Sequence, residues 1–348
     1  MDNKAKIRQN VLYFFSKKIN HPLCPPRNIT LTLNYLCNQN CVMCDIKRQK
    51  FDKQFEITPQ EIKNIIDEMV QMNIEELVLT GGEPFLYPGI FEVIEHAKAK
   101  KRKVVMITNG FYDEPLARKI MDSPVDHLQV SLDGSNASIY ESVRQTPGSF
   151  DIVTGNIKRF VAAGKSVGAT ATIVRQNYQD LLNIAHLAKR LGCTRLALRP
   201  AHVSNADPQN HELRDCSFWI PKEELEILAN ACQKLEAFNK KTNFLDFCPG
   251  VSFLPQYFQK GHMNSAGSCF IGFTRLIISY DEKQSYGVWM CHDMIGDIRR
   301  EKLKQIWRGR KARQVRKQVK RCRQSCLFPE IHEPHLRNLA AIFKNSND

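Results

Sequence analysis

Three cysteines fall within eight residues of this chain, in the stretch CNQNCVMC that runs from Cys37 through Cys41 to Cys44. A disulfide uses two thiols and a structural zinc site is usually closed by four ligands, so three thiolates leave one position of a metal site open. Cysteines in short loops of this kind hold iron–sulfur clusters, and a cluster of four irons would keep one iron free for another ligand. Zinc with a fourth ligand from a histidine or Asp45 is the competing interpretation.

Four other cysteines are spread over the C-terminal part of the chain, at Cys269, Cys291, Cys322 and Cys326. The first two flank a predicted pair of strands, and the last two form C-x3-C beyond a predicted helix. Four thiolates can close a metal site completely, which fits either a fully ligated iron–sulfur cluster or a structural zinc.

The composition indicates the compartment in which these thiols work. The chain has 348 residues, 43% hydrophobic and 25% charged, which is typical of a soluble globular protein. No apolar run approaches the roughly 20 residues that cross a bilayer. The apolar stretch Val11–Phe15 is shorter than the roughly 7–15 residues of a secretory signal. We therefore expect a cytoplasmic protein, in which clustered cysteines stay reduced and serve as metal ligands or catalytic groups.

The net charge of +14 is concentrated in one segment, since residues 299–323 hold 13 Lys or Arg and a single Glu. Apolar residues recur there at helical spacing, which predicts one or two helices with a solvated basic face. A role toward phosphates, nucleic acid or anionic lipid is the weaker interpretation. Because no nucleic-acid-binding motif accompanies the segment, we do not expect a nucleic-acid partner.

From residue 28 onward, strand-like and helix-like segments alternate. The predicted strands are Asn28–Leu36, Glu76–Thr80, Lys103–Thr108, His127–Leu132, Val167–Val174 and Thr194–Arg199. The helix after the first strand has a capping-box start at Thr58, with Pro59 and Glu61 behind it. Regular alternation indicates right-handed crossovers and a parallel sheet. A partial, open barrel and an open doubly wound sheet both fit this pattern. We predict an α/β fold with a partial (β/α)6 TIM-like barrel, followed by a small C-terminal α+β module that binds a cluster.

The unusual motifs stand at the ends of the first four predicted strands. Cys37 follows the first strand, and Gly81–Pro84, with the sequence GGEP, follows the second. Asn109 follows the third strand, and Ser131 and Asp133 lie at the end of the fourth. Because the carboxyl ends of parallel strands lie on one face of the sheet, we expect these four motifs to converge on one site.

The same pattern predicts the domain organisation. The expected parts are an N-terminal arm over 1–27, a core barrel over 28–200, a connecting segment over 201–266 that lines the substrate cavity, a cluster-binding module over 267–330 and a C-terminal tail over 331–348.

Taken together, these motifs resemble the radical S-adenosylmethionine (radical SAM) family. Cys37 to Cys44 matches that family's C-x3-C-x-Φ-C motif, with Met43 at the apolar position. TGGEP matches its glycine-rich motif after the second strand, and TNG at 108–110 is a common form after the third. SLDGSNASIYESVR, from Ser131 to Arg144, resembles the fourth-strand motif of members with additional clusters.

The resemblance implies a [4Fe–4S] cluster held by Cys37, Cys41 and Cys44, with SAM bound to the open iron. An electron from a donor such as flavodoxin or ferredoxin would cleave SAM, and the 5′-deoxyadenosyl radical would abstract hydrogen from a substrate. By the same resemblance, Met43 would pack near the adenine, Glu83 would accept from the methionine ammonium, and Arg144 would pair with the carboxylate. The other implied SAM-binding residues are Gly81, Gly82, Pro84, Asn109, Ser131 and Asp133.

The segment 267–309 resembles the C-terminal module called SPASM, or its shortened twitch form. Ile295-Gly296, Leu303, Ile306 and Trp307 stand where that pattern has them. The resemblance implies one auxiliary [4Fe–4S] cluster on Cys269, Cys291, Cys322 and Cys326, with zinc on the same thiolates as the rival. Cys248 is the substitute ligand and also a candidate hydrogen-atom donor to a substrate radical.

Three functions fit this set of features. The first is peptide or protein maturation by a radical SAM enzyme. The second is a radical dehydrogenase acting on a small molecule such as a sugar, an alcohol or a cofactor precursor. The third, a non-enzymatic zinc protein that binds nucleic acid, explains the charge and the cysteines but not GGEP and SLDG at successive strand ends.

Overall fold

The computed structural model describes residues 3–44, 46, 51–201, 217–246, 250–261, 263–264, 269–281, 285–291, 293–321 and 324–325. Within these residues, one ten-stranded sheet runs through the molecule. Its parallel strands are β1 (Asn28–Thr32), β2 (Glu76–Thr80), β3 (Lys103–Thr108), β4 (His127–Ser131), β5 (Val167–Ile173), β6 (Leu196–Pro200) and β7 (Leu245–Asp246). They lie side by side in chain order, which confirms the predicted α/β class.

Helices connect these strands and cover the sheet. They are α1 (Asn3–Ile19), α2 (Pro59–Met72), α3 (Ile90–Ala99), α4 (Glu114–Asp122), α5 (Ala137–Arg144), α6 (Ser149–Ala162), α7 (Leu181–Arg190), α8 (Leu225–Thr242) and α9 (Leu254–Lys260). The predicted capping box of α2 is confirmed, since Thr58 and Glu61 each accept a hydrogen bond from the other's backbone N–H, at 3.2 and 2.8 Å. The buried face of α2 carries Ile62, Ile65, Ile66 and Met69, at the spacing of an amphipathic helix.

Three of the C-terminal strands join the same sheet. The C-terminal elements are β8 (Met263–Asn264), α10 (Ile271–Thr274), β9 (Arg275–Asp281), β10 (Ser285–Met290), β11 (Asp293–Asp297), α11 (Leu303–Arg308), α12 (Arg310–Arg321) and β12 (Gln324–Ser325). β9 pairs in parallel with β1 on the edge opposite β2, and β10 and β11 extend the sheet in antiparallel fashion. β8 and β12 form a separate antiparallel pair. The C-terminal strands are therefore a continuation of the core sheet.

Contacts beyond the sheet hold the C-terminal elements to the N-terminal half. Arg299 pairs with Glu61 of α2 at 2.7 Å, and the backbone N–H of Leu303 donates to Glu68 at 2.7 Å. Tyr13 of α1 packs with Phe270 and with Phe273 of α10. The segment predicted as a brief N-terminal arm thus supplies a 17-residue helix that packs on the C-terminal elements.

The observed elements differ from the predicted ones in several details. The first strand ends at Thr32, four residues before the predicted end at Leu36, because the following backbone leaves β1 and lies across the loop after β2. A seventh parallel strand, β7, comes from the segment 201–266, which had no predicted strand. Two residues are too few to show an alternating pattern. Among the described residues, no helix combines the length and the apolar character that a membrane span requires.

Candidate functional site

The backbone that leads into the cysteine loop packs against the glycines of the GGEP motif. The backbone N–H groups of Gly82 and Glu83 donate to the carbonyls of Asn34 and Leu36, at 2.9 and 2.7 Å. A Cβ on Gly82 would lie 2.0 Å from the Leu36 carbonyl oxygen. Gly81 has a φ of +147°, which L side chains rarely adopt, and its Cβ would lie 2.6 Å from the Asn34 oxygen. The two glycines are therefore required because the backbone of residues 34–36, which leads from β1 to Cys37, lies directly against the GGEP loop.

Glu83 is fully buried between the ends of β2 and β3. Its Oε1 accepts from the Thr108 hydroxyl at 2.7 Å and from the Phe85 backbone N–H at 3.1 Å, and its Oε2 accepts from the Asn109 N–H at 2.7 Å. Burial raises the pKa of Glu83 to about 7, against the lowering effect of these hydrogen bonds. The carboxylate thus ties two strand ends together, and it does not line the cavity described below.

Asn109 places one thiol of the loop. Its side-chain N–H group lies 3.7 Å from the Sγ of Cys37 and 2.7 Å from the Oδ1 of Asn38, and its own Oδ1 accepts from the Phe111 N–H at 2.8 Å. Burial raises the pKa of Cys37, while the backbone of Gln39 and the amide of Asn109 act in the opposite direction. Amide donors of this kind stabilise a thiolate or a cluster ligand at this position.

The end of α5 contacts the second thiol. Arg144 donates from Nη1 to the Sγ of Cys41 at 3.4 Å, and its Nε and Nη2 bind the buried carboxylate of Asp133. Burial lowers the pKa of Arg144, but the negative charges of Asp133 and Cys41 outweigh it and leave the pKa well above its usual value. The loop also donates to the last carbonyls of α5, from Val42 to Val143 at 3.0 Å and from Asn40 to Arg144 at 3.2 Å.

Asp133 has its second oxygen engaged as well, because it accepts from the backbone N–H of Thr172 at 2.6 Å. The carboxylate therefore links the end of β4, the end of β5 and Arg144. Like Glu83, it stands behind the cavity wall and acts on the geometry of other residues.

One cavity of about 570 Å³ opens at the carboxyl ends of the parallel strands. The predicted residues that line it are Cys37, Cys41, Met43, Cys44, Gly81, Gly82, Asn109, Ser131 and Arg144. The predicted residues that are absent from its lining are Glu83, Pro84 and Asp133. The structure thus brings the four strand-end motifs together, and the ligand roles of the individual residues stay predictions.

Several lining residues are absent from the sequence prediction, namely Ile46, Thr80, Ile107, Thr108, Thr172, Arg199 and Pro200. All but Ile46 stand at or near the carboxyl ends of β2, β3, β5 and β6. The rule that strand ends converge would have found Thr172 and Arg199 if it had been applied to the fifth and sixth strands. Arg199 points to Asp246, with 3.9 Å between their charged groups.

The three thiols could hold an iron–sulfur cluster, in which each thiolate binds a different iron. Zinc–thiolate bonds of about 2.3 Å would instead draw the same ligands around one ion. In the described part of the chain, no three His, Cys, Asp or Glu side chains form a group that could hold one metal ion. A cavity of about 570 Å³ is also in the usual size range for a small-molecule ligand such as SAM.

Half of the second cysteine set lies in the described residues. Cys269 immediately precedes the turn into α10, and Cys291 directly follows β10 with a φ of +60°. Both are half-buried against the core. An ideal Cβ on Gly272, three residues after Cys269, would lie 3.1 Å from the sulfur of Met290, which precedes Cys291. The two cysteines therefore belong to one region, whereas Cys322, Cys326 and Cys248 lie outside the described residues.

Two family models match the chain. The model of the radical SAM superfamily matches residues 31–188, which include all four strand-end motifs. The SPASM model, described as an iron–sulfur cluster-binding domain, matches residues 269–327, which include the four C-terminal cysteines.

The curated relatives that match include a protein named as a synthase and a protein named as a maturase. AdoMet-dependent heme synthase from Methanosarcina barkeri is 32% identical over 168 residues, which are 48% of this chain and 48% of that protein. Mycofactocin maturase MftC from Mycobacterium tuberculosis is 33% identical over 182 residues, 52% of this chain and 45% of the relative. The chain spans about half the length of these curated relatives.

Solved structures share the fold. SuiB from Streptococcus suis superposes with a TM-score of 0.66 at 13% identity, over 88% of this chain and 71% of SuiB. Native anSMEcpe with bound AdoMet superposes with a TM-score of 0.62 at 14% identity, over 92% of this chain and 97% of that one. At such low identity the similarity establishes the architecture alone.

Proposed function

We propose that this chain, in which the models of the radical SAM superfamily and of the SPASM domain match residues 31–188 and 269–327, is a radical SAM enzyme that matures a peptide or protein. A radical SAM domain implies a [4Fe–4S] cluster that works with SAM, and a SPASM domain implies an auxiliary iron–sulfur cluster. The observation that carries the proposal is the cavity in which three thiols meet the strand-end motifs.

The cluster and SAM, when bound, would supply a reductive cleavage that yields a 5′-deoxyadenosyl radical for hydrogen abstraction. The residues of the chain position and stabilise them. Cys37, Cys41 and Cys44 would hold three irons, and Asn109 and Arg144 would donate to the sulfurs of Cys37 and Cys41. Such donors favour the anionic ligands over the neutral thiols.

The other cavity residues divide into two groups by position. Ser131, Met43, Gly81 and Gly82 line the cavity and are the candidates for direct contact with SAM. Glu83 and Asp133 are buried and already bonded to the chain, which favours a role in fixing the strand ends over direct contact with SAM. The SAM contacts that the family motif implies for these two residues stay predictions.

A peptide substrate is favoured by the relatives. MftC is named a maturase and is 33% identical to this chain. SuiB, which has the same fold, has been solved with its precursor peptide SuiA. The 32% identity to AdoMet-dependent heme synthase favours the second candidate, a small-molecule substrate. Either reaction needs an electron donor, for which flavodoxin or ferredoxin is the proposed class.

An activity assay with two substrate pools tests the proposal. Anaerobically reconstituted protein is reduced and supplied with SAM, and 5′-deoxyadenosine is measured after addition of an extract from cells that encode the chain. We expect the peptide fraction to stimulate its formation, and protease treatment to abolish the stimulation. Stimulation by the low-molecular-weight fraction that resists protease would establish the small-molecule alternative. Zinc in place of iron, with no SAM cleavage, would support the alternative of a non-enzymatic zinc protein.

A further inference from the structure

The basic helix α12 contains one arginine that is buried. Arg316 has 1% of its surface exposed, whereas its neighbours Arg313 and Lys317 are exposed. Its Nε donates to the Gly272 carbonyl and its Nη2 to the Trp307 carbonyl, each at 2.8 Å. Its guanidinium also lies over the ring of Trp307, at 4.2 Å from the centroid.

No carboxylate of the described residues pairs with this charge. Burial, with the charge of Arg313 added, lowers the pKa of Arg316 to about 9, which still leaves the group charged at neutral pH. Two neutral carbonyls and the rings of Trp307 and Phe273 offset part of the cost of burying a cation, but a buried charge normally also has a counter-charge. Among the described residues, the fold therefore buries this positive charge without a paired carboxylate.

The neighbourhood of Arg316 is the region of the second cysteine set. Gly272, which accepts its hydrogen bond, lies three residues after Cys269. An ideal Cβ on Gly272 would lie 3.3 Å from the Cγ of Arg316 and 3.1 Å from the sulfur of Met290, the residue before Cys291. The helix that carries Arg316 ends at Arg321, directly before Cys322 in the sequence.

We propose that Arg316 is the counter-charge of the auxiliary cluster and a positioning residue for it, holding the loop of Cys269 through Gly272. This inference rests on the auxiliary cluster of the proposed function. A cluster with four thiolate ligands is an anion whose negative charge increases on reduction. A fixed cation nearby favours the reduced form, so Arg316 stabilises the bound cluster and raises its reduction potential.

The test isolates the auxiliary cluster in the full-length chain. In a background with Cys37→Ala, Cys41→Ala and Cys44→Ala, the C-terminal set is the one predicted cluster-binding set that is left. Arg316→Met removes the charge and Arg316→Lys keeps it, while Arg313→Met removes an exposed charge three residues away. Each protein is measured with and without reconstituted iron, by iron content, Tm and the midpoint potential of the cluster.

We expect about four irons per chain in the background and in Arg313→Met, and at least a tenfold faster loss of iron to a chelator in Arg316→Met. Arg316→Met should lower the Tm of the loaded chain more than that of the iron-free chain, and it should shift the midpoint potential to a more negative value. Arg316→Lys should keep the potential near that of the background. A purely structural arginine would lower both Tm values equally.

Two results would overturn the inference in different ways. Equal Tm losses with and without iron, together with an unchanged potential in Arg316→Met, would show that the auxiliary cluster does not depend on this charge. A background protein that binds no iron would remove the auxiliary cluster itself, and with it that part of the proposed function.

Discussion

Glu83 shows how a buried carboxylate can organise a site without lining it. Its two oxygens accept three hydrogen bonds from Phe85, Thr108 and Asn109, and the Asn109 amide in turn contacts the Sγ of Cys37. A change at Glu83 therefore reaches the first thiol through one intermediate residue.

The raised pKa of Glu83 predicts a pH-dependent stability. Because the folded state binds this proton more tightly than the unfolded state, the contribution is fully present below about pH 4.5 and is lost as the pH rises through about 7. The shift corresponds to about 3 kcal/mol. We expect the free energy of unfolding of the iron-free protein, measured with urea, to fall by this amount between these two pH values. It should be absent in Glu83→Gln and retained in Glu95→Gln, which changes an exposed carboxylate. Equal pH dependence in all three proteins would contradict the assignment.

Asp133 and Arg144 form the second buried polar unit. Asp133→Asn leaves the Arg144 cation without its counter-charge, and breaking a buried pair in this way usually costs about 3–5 kcal/mol. We expect a loss of that size in the free energy of unfolding, together with weaker iron binding at the neighbouring Cys41. The control Glu114→Gln breaks an exposed ion pair with Arg118 and should change stability little. A loss no larger than in the control would contradict the buried pair.

The strand-end rule predicted which motifs would meet, but the partners of the buried carboxylates were not predictable. Thr108 is 25 residues from Glu83, and Thr172 is 39 residues from Asp133. Pairings over such distances depend on which strands are neighbours and on their register, and neither can be read from a motif. Without knowledge of these pairings, the family motif implied direct contacts with SAM for both carboxylates.

At the scale of elements, the close packing of the cysteine loop on GGEP gives a sharp test. Gly82→Ala would place a Cβ 2.0 Å from the Leu36 carbonyl oxygen, so the two loops must separate. We expect a loss of several kcal/mol in the free energy of unfolding and a loss of iron at the first cluster. Gly155→Ala, in the interior of α6 with open space around it, should gain about 1 kcal/mol. Similar stability in both variants would contradict the packing.

In helix α12, the apolar pattern predicts a buried residue at position 316, whereas the residue type there predicts an exposed one. Ala312, Val315 and Val319 gave the predicted apolar stripe, and all three are buried. Position 316 lies four residues after Ala312 and three before Val319, so the helical phase puts it on the same face. The charge of Arg316 predicted an exposed side chain. The sequence alone could not show that its guanidinium lies over Trp307 and donates to the Gly272 carbonyl.

At the scale of the molecule, the single sheet predicts how the chain unfolds. β9 pairs with β1 through Asn28 to Leu31, and Tyr286 donates to the Leu33 carbonyl at 3.0 Å. The strands matched by the SPASM model therefore share hydrogen bonds with the part of the chain that the radical SAM model matches. We expect one urea transition with coincident midpoints by far-UV circular dichroism and by the fluorescence of Trp289 and Trp307. To isolate these tryptophans, Trp219 is replaced by Phe. An earlier fluorescence transition would show that the C-terminal strands unfold by themselves.

The central claim is that Cys37, Cys41 and Cys44 hold the cluster at which SAM is cleaved. The most direct measurement is 5′-deoxyadenosine formed from SAM by the reconstituted, dithionite-reduced protein. The triple change of these cysteines to Ala is compared with a control that changes Cys193 and Cys232, two buried cysteines away from the cavity. We predict 5′-deoxyadenosine from the unchanged protein and the control, and none from the triple variant. Undiminished cleavage in the triple variant would contradict this account of the site.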